Sequence, residues 1–191
     1  MFSFDPAAYG AATERILSDG GLCELGPGRP REDRRGELRA LQLEAISPRI
    51  RARDMAQCCL AALWLWHNFL DESHQISQEI AGSNGSYWHG IMHRRELDYA
   101  NSKYWYRRVG DHEVFPSLLA AAKSLAATHE LNGAAAELAS RPAWDPYAFV
   151  DFTASVARGN AQDELFARQV ATAEWQLLFD FCWHRAQSAA Q

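Results

Sequence analysis

The stretch DMAQCCLAALWLWHNFLDESHQISQ, residues 54–78, decides the fold class. Met55, Cys58, Cys59, Leu60, Leu63, Trp64, Leu65, Trp66, Phe69 and Leu70 leave almost no solvent face on a 3.6-residue spiral. A helix that is apolar nearly all round is normally buried, so the spacing predicts one helix from Asp54 to about Gln78 at the centre of the molecule. Its apolar run, Cys58 to Trp66, is far too short to span a bilayer.

Working outward, Asp5-Pro6 is a helix start, with the aspartate as cap and proline in the first turn. That helix should reach about Ser18 and stop at Gly20-Gly21. Residues 20–36 then read as a long surface loop whose basic run, Arg29 to Arg35, is solvated. Beyond the central helix, GSNGS at 82–86 reads as a turn, followed by a short helix through His93. Another helix should open at Asp98 and stop at Gly110. Pro116 to Thr128, Asp145-Pro146 to about Arg158, and 161–187 complete the set, the last with Leu165, Val170, Trp175, Leu178, Phe179 and Cys182 as its apolar side. No period-2 strand and no internal repeat appears. The expectation is all-α: one domain over 1–191, an irregular bundle of six to eight helices around a central apolar one.

Composition bounds the function. The 191 residues are 48% hydrophobic with seven tryptophans, enough to bury a sizeable core. A formal net charge of −5 argues against a general nucleic-acid or membrane-surface binder, since both need a basic face. The charge is uneven, however. Between His93 and Arg108 five basic residues face two acidic ones, which favours a small anionic partner or internal ion pairs over a long polyanion. Cys23, Cys58, Cys59 and Cys182 form no C-x-x-C pair, and the start MFSFDPAAYG lacks a basic segment followed by an apolar one. A reducing cytoplasm is the expected compartment. There is no G-x-G-x-x-G, P-loop, G-x-S-x-G or H-E-x-x-H, and Cys58 and Cys59 lie in too apolar a stretch to be low-pKa nucleophiles.

What remains is a set of histidines. On a continuous helix His67, Asp71, His74 and Gln78 form one stripe, with Glu72 beside it. His89, His93 and Glu96 repeat the theme at i, i+4 and i+7. Two histidines at i, i+4 can both reach one ion. His74 or Asp71 from the facing segment would complete three or four ligands, a set suited to zinc, iron, manganese or nickel. His74, His89 and Glu96 are then the candidate catalytic groups. The alternative is a histidine satisfied by a neighbouring carboxylate or carbonyl, with no metal. In the window 94–108, Arg94, Arg95 and Lys103 could orient an anion, and Asp98, Asn101, Trp88 and Trp105 could line its pocket. Asn101, Tyr104 or Trp105, and Arg108 share a face. Alternatively Trp88 and Trp105 are core, and the arginines pair with Asp71, Glu72, Glu96 and Asp98.

SYWHGIMHRRELDYANSKYWYRRVGDHEVF (86–115), preceded by WHNFLDESHQISQ (66–78), resembles a family of uncharacterised bacterial and fungal proteins over about a quarter of the chain. The resemblance implies a shared site at His74, Trp88, His89, His93, Arg94, Arg95, Glu96, Asp98, Asn101, Lys103, Tyr104 and Trp105, but no reaction. Leu97 departs from that pattern, which calls for a small residue or proline there. A looser similarity is to DinB-like bundles, where three helix-borne histidines hold a metal, although there the histidine pair lies late in the chain.

Three functional expectations follow. The first is an enzyme with a divalent metal on helix-borne histidines and a cationic pocket for a small anion. The second is a metal-free binding module or acid–base enzyme for a carboxylate or phosphate compound. The third is a structural network, with function lying in protein partners.

Overall fold

The computed structural model describes residues 3–47, 49–159 and 161–188. Among them there are only helices: a 3-10 turn at Pro6–Tyr9, then α1 (Ala11–Leu17), α2 (Glu32–Ala40), α3 (Leu43–Ile46), α4 (Arg53–Trp66), α5 (Leu70–Ser77) and α6 (Ser83–Arg95). There follow α7 (Tyr99–Val109), α8 (Phe115–Ala126), α9 (Gly133–Ser140), α10 (Pro146–Ala157), a 3-10 turn at Ala161–Asp163, and α11 (Glu164–Gln187). The class is all-α, but with eleven α-helices among the described residues instead of six to eight. None is long and apolar enough to cross a membrane.

Three helix starts obey their caps. Asp5 accepts from the Ala7 amide at 3.0 Å, Asp98 from Asn101 at 3.1 Å, and Asp145 from Tyr147 at 2.9 Å and Ala148 at 3.1 Å. Each such cap contributes about 1 kcal/mol. The first segment nevertheless divides, because Gly10 turns to φ +88 between the 3-10 turn and α1.

The central stretch divides too. α4 ends at Trp66, His67 caps it, and Asn68 adopts φ +65 before α5 begins. The cause is tertiary. The Asn68 amide donates to the Arg29 carbonyl at 2.9 Å, while its oxygen accepts from Arg95 at 2.6 Å. Gly28 packs so closely there that a Cβ would come within 2.8 Å of the Asn68 side chain. The predicted stripe therefore ends before it starts: His67 points away, bonded through Nε2 to the Ile16 carbonyl at 2.9 Å, and burial lowers its pKa.

The predicted turn at 82–86 is instead the first turn of α6, with Gly82 at φ +95 in front of it. Gly85 serves a close approach, since a Cβ there would collide with the Ile80 carbonyl. The predicted loop 20–36 already contains the start of α2. Three of its arginines are paired: Arg31 and Arg34 with Asp19 at 2.9 and 2.5 Å, and Arg35 with Glu32 at 2.6 Å and with Glu72.

One connected apolar cluster runs from Tyr9 to Ala186. No single helix is its axis, for α4, α6, α10 and α11 each bury a long row of side chains. Trp175 of α11 stacks on Phe179 and donates to the Ala62 carbonyl of α4 at 3.1 Å. Leu165, expected on that apolar side, is 53% exposed. α6 packs against α4, α5 and α7, and this places its two polar faces inside the protein.

Candidate metal centre

His89 and His93, one turn apart on α6, meet His74 of α5. The ring centroids lie 4.6 Å apart for His74–His89 and for His89–His93, and 5.3 Å for His74–His93. One ligating atom from each lies within 4.8 Å of the other two. His89 and His93 are buried and His74 is half-buried.

The ring nitrogens are unequally satisfied. His93 Nδ1 donates to Glu96 at 3.0 Å, which leaves Nε2 as the lone-pair nitrogen. The Asn101 amide nitrogen lies 3.1 Å from His93 Nε2 and 3.4 Å from Nδ1. His89 Nδ1 is buried with no hydrogen-bond partner. Among the described residues six other buried side-chain atoms share that condition, Trp88 Nε1 of the same helix among them, and an unpaired buried polar atom costs about 1–3 kcal/mol; what sets His89 apart is the two imidazoles beside it. Burial, followed by the neighbouring His93 and His74, pushes His89 down to about 3. Burial likewise lowers His93, against the opposing pull of Glu96. At neutral pH His89 is therefore uncharged, and burial favours the neutral form of His93 as well.

Helix α7 roofs the cluster. Trp105 stacks on His89 with centroids 3.9 Å apart and planes 16° from parallel, and the Arg108 guanidinium lies 5.2 Å from the Trp105 centroid. Of the two face choices left open at Tyr104 or Trp105, the inward one is Trp105; Tyr104 is exposed. Glu96 also lines a groove of about 710 Å³ with Pro27, Phe69, Asp71, Glu72 and Asp98.

The remaining expected residues fall elsewhere. Asp71, expected as a ligand, is exposed in the groove and outside the group of three. Arg94, expected on a ligand, is buried against Glu174 and donates to the Tyr106 hydroxyl at 3.1 Å. Arg95 is also buried. It clasps the preceding loop through the Gly26 carbonyl at 2.6 Å and the Pro27 carbonyl at 3.3 Å, besides Asn68. Lys103 reaches Asp151 at 2.6 Å. Trp88 is wholly buried in the core. Asp98 caps α7.

Reading the sequence missed Glu174, which is 0% exposed and accepts from Tyr87 at 3.1 Å, Tyr106 at 3.0 Å and Arg94. A single acid between Val170 and Trp175, Leu178 on a helix was the available signal. An acid on an apolar stripe needs a buried partner.

Compared with protein-family models, curated proteins and solved structures, the chain matches none.

Proposed function

We propose that this chain is a metal-dependent enzyme acting on a small molecule, with a divalent ion held by His74, His89 and His93. The observation that carries the reading is the buried His89 Nδ1, unpartnered beside two other imidazoles that can share an ion with it. A ligand nitrogen must be deprotonated, and the depressed His89 meets that requirement well below neutrality. Three neutral nitrogens suit zinc, nickel or iron better than the more oxygen-loving manganese. When bound, such an ion polarises an oxygen or lowers the pKa of water.

The chain's own residues have separate tasks. Glu96 orients His93 and makes it a stronger donor. Trp105 holds the His89 plane and walls that side off from water. Substrate would lie in the groove lined by Glu96, the carboxylate that bonds His93. Its lining acids, Asp71, Glu72, Glu96 and Asp98, face one arginine, Arg35, which is already paired with Glu32 and Glu72. With Arg94, Arg95 and Lys103 engaged elsewhere, the expected anionic substrate loses its anchors, so the reading keeps the metal and drops the anion. A metal-free proton shuttle through His89 is disfavoured, since a shuttle needs a pKa near 7 and burial holds His89 at about 3.

The test is elemental analysis of untagged protein prepared without chelators, beside a His89→Ala His93→Ala variant. The reading expects close to one zinc, iron or nickel per chain, absent from a variant that still folds. Equal metal in both, or none in either after reconstitution, would overturn it.

A further inference from the structure

We infer that the substrate of this centre is an organic cation, an ammonium or guanidinium group on an aliphatic body, lying in the groove that Glu96 lines. The inference rests on the metal reading above and names the class of molecule the ion would act on.

The helices that supply the imidazoles also supply the groove. Asp71 stands three residues before His74 on α5, and Glu96 follows His93 by three at the end of α6. Three residues span about 4.5 Å along a helix axis. Glu96 closes that interval with its bond to His93 Nδ1 at 3.0 Å. The groove of about 710 Å³ thus carries a carboxylate from each of the two helices that hold the histidines.

Its charge is one-sided. Asp71, Glu72, Glu96 and Asp98 line it against Arg35 alone. Arg35, from α2, shows how a guest would sit. Its guanidinium pairs with Glu72 and Glu32 and lies 4.2 Å from the Phe69 ring centroid, so the groove already seats one guanidinium of the chain's own. Asp71 has no such partner: among the described residues no hydrogen bond or ion pair reaches its carboxylate.

A second inorganic ion does not fit the same lining. Among the described residues the three histidines are the only group of three or more metal-binding side chains whose ligating atoms converge. The four carboxylates are therefore spread along the groove instead of gathered round a point. Spread charge beside the apolar surfaces of Phe69, Leu70, Pro27 and Pro30 suits a molecule with length, a cationic head on a methylene body.

The probes are hexylguanidinium, hexanesulfonate and 1-hexanol, which share a chain, differ in charge and are poor ligands for zinc. Each would be titrated into wild type and Asp71→Asn reconstituted with zinc. Binding is read from the amide chemical shifts of the groove residues, and zinc content is measured on the same samples. Hexylguanidinium should bind tightest, by about tenfold over hexanol, with hexanesulfonate weakest and the preference shrinking as salt rises. Asp71→Asn should weaken hexylguanidinium by roughly 2–5-fold, the scale of one exposed ion pair, and leave hexanol unchanged. Equal binding of the three probes, no binding of any, or hexylguanidinium affinity untouched by Asp71→Asn would overturn this inference, while zinc in the samples keeps the metal centre. The same charge preference in protein that takes up no zinc would overturn the metal centre and leave the groove's selectivity for cations standing.

Discussion

Helix α6 carries two buried polar faces that end differently. On one, Tyr87 and Arg94 meet Glu174 of α11 and Tyr106 of α7. On the other, His89 and His93 meet His74 of α5. Both are shielded from water, yet the first is saturated and the second is not. Glu174 accepts from three donors, the Tyr106 hydroxyl both gives and receives, and Arg94 lies over the Phe149 ring at 4.5 Å. The histidines keep an orphan nitrogen and a badly directed amide. Burial alone does not separate structure from function. What distinguishes the faces is the grouping: a carboxylate with three donors on one, and on the other three imidazoles that converge with hydrogen-bonding capacity to spare.

The sharpest way to break the comparison is Glu174→Ala. Removing one partner strands the Arg94 charge in the interior, so stability should fall by about 3–5 kcal/mol in urea denaturation. Metal affinity of the protein that remains folded should hold. A loss below 1 kcal/mol would mean the saturated face is not what pins α6 to α11.

A smaller effect is expected at Glu96→Gln. The amide can no longer draw the His93 Nδ1 proton toward a charge, so metal affinity should drop by roughly 10–100-fold. Stability should change by no more than about 0.5 kcal/mol, since the Glu96 side chain is 37% exposed and its one ion pair is to a histidine. Unchanged affinity would show that His93 needs no orienting partner.

The smallest effect is a drift with pH in the metal-free protein. The unfolded chain protonates its histidines near 6.5, whereas the fold holds His89 to about 3 and His112 to about 4. The unfolded state thus binds more protons below 6.5, so stability is complete above that value and falls as pH drops. Between pH 7 and 6 each should lose roughly 0.5 kcal/mol, read from urea midpoints, with His89→Ala removing its share. A midpoint independent of pH would contradict the buried neutral rings.

Much of this was legible from local rules. The Asp5, Asp98 and Asp145 caps, the i, i+4 pair His89–His93 with His74 opposite, and the shared face of Asn101 and Arg108 all depend on spacing alone. What escaped depends on distant partners. Nothing in WHNFLD marks a break, because Asn68 is held in its left-handed turn by Arg29 and Arg95. SNGS resembles a turn, yet it is helical where Gly85 passes the Ile80 carbonyl. Leu97, read as an unusual residue in its motif, takes φ +67 between α6 and α7, a conformation closed to proline. The arginines misled for the same reason: a basic window looks like an anion pocket until Glu174, eighty residues from Arg94, is seen to occupy it. Charge counts over a window cannot tell a waiting cation from one already paired.

The most direct measurement is calorimetric titration of Zn2+ into apo wild type and into the His89→Ala His93→Ala variant, both confirmed folded by circular dichroism. The unsaturated face should bind one ion per chain, and the variant should bind none at that site. Equal binding by the two proteins, or no binding by either, would contradict the claim that α6 carries a metal site opposite its structural network.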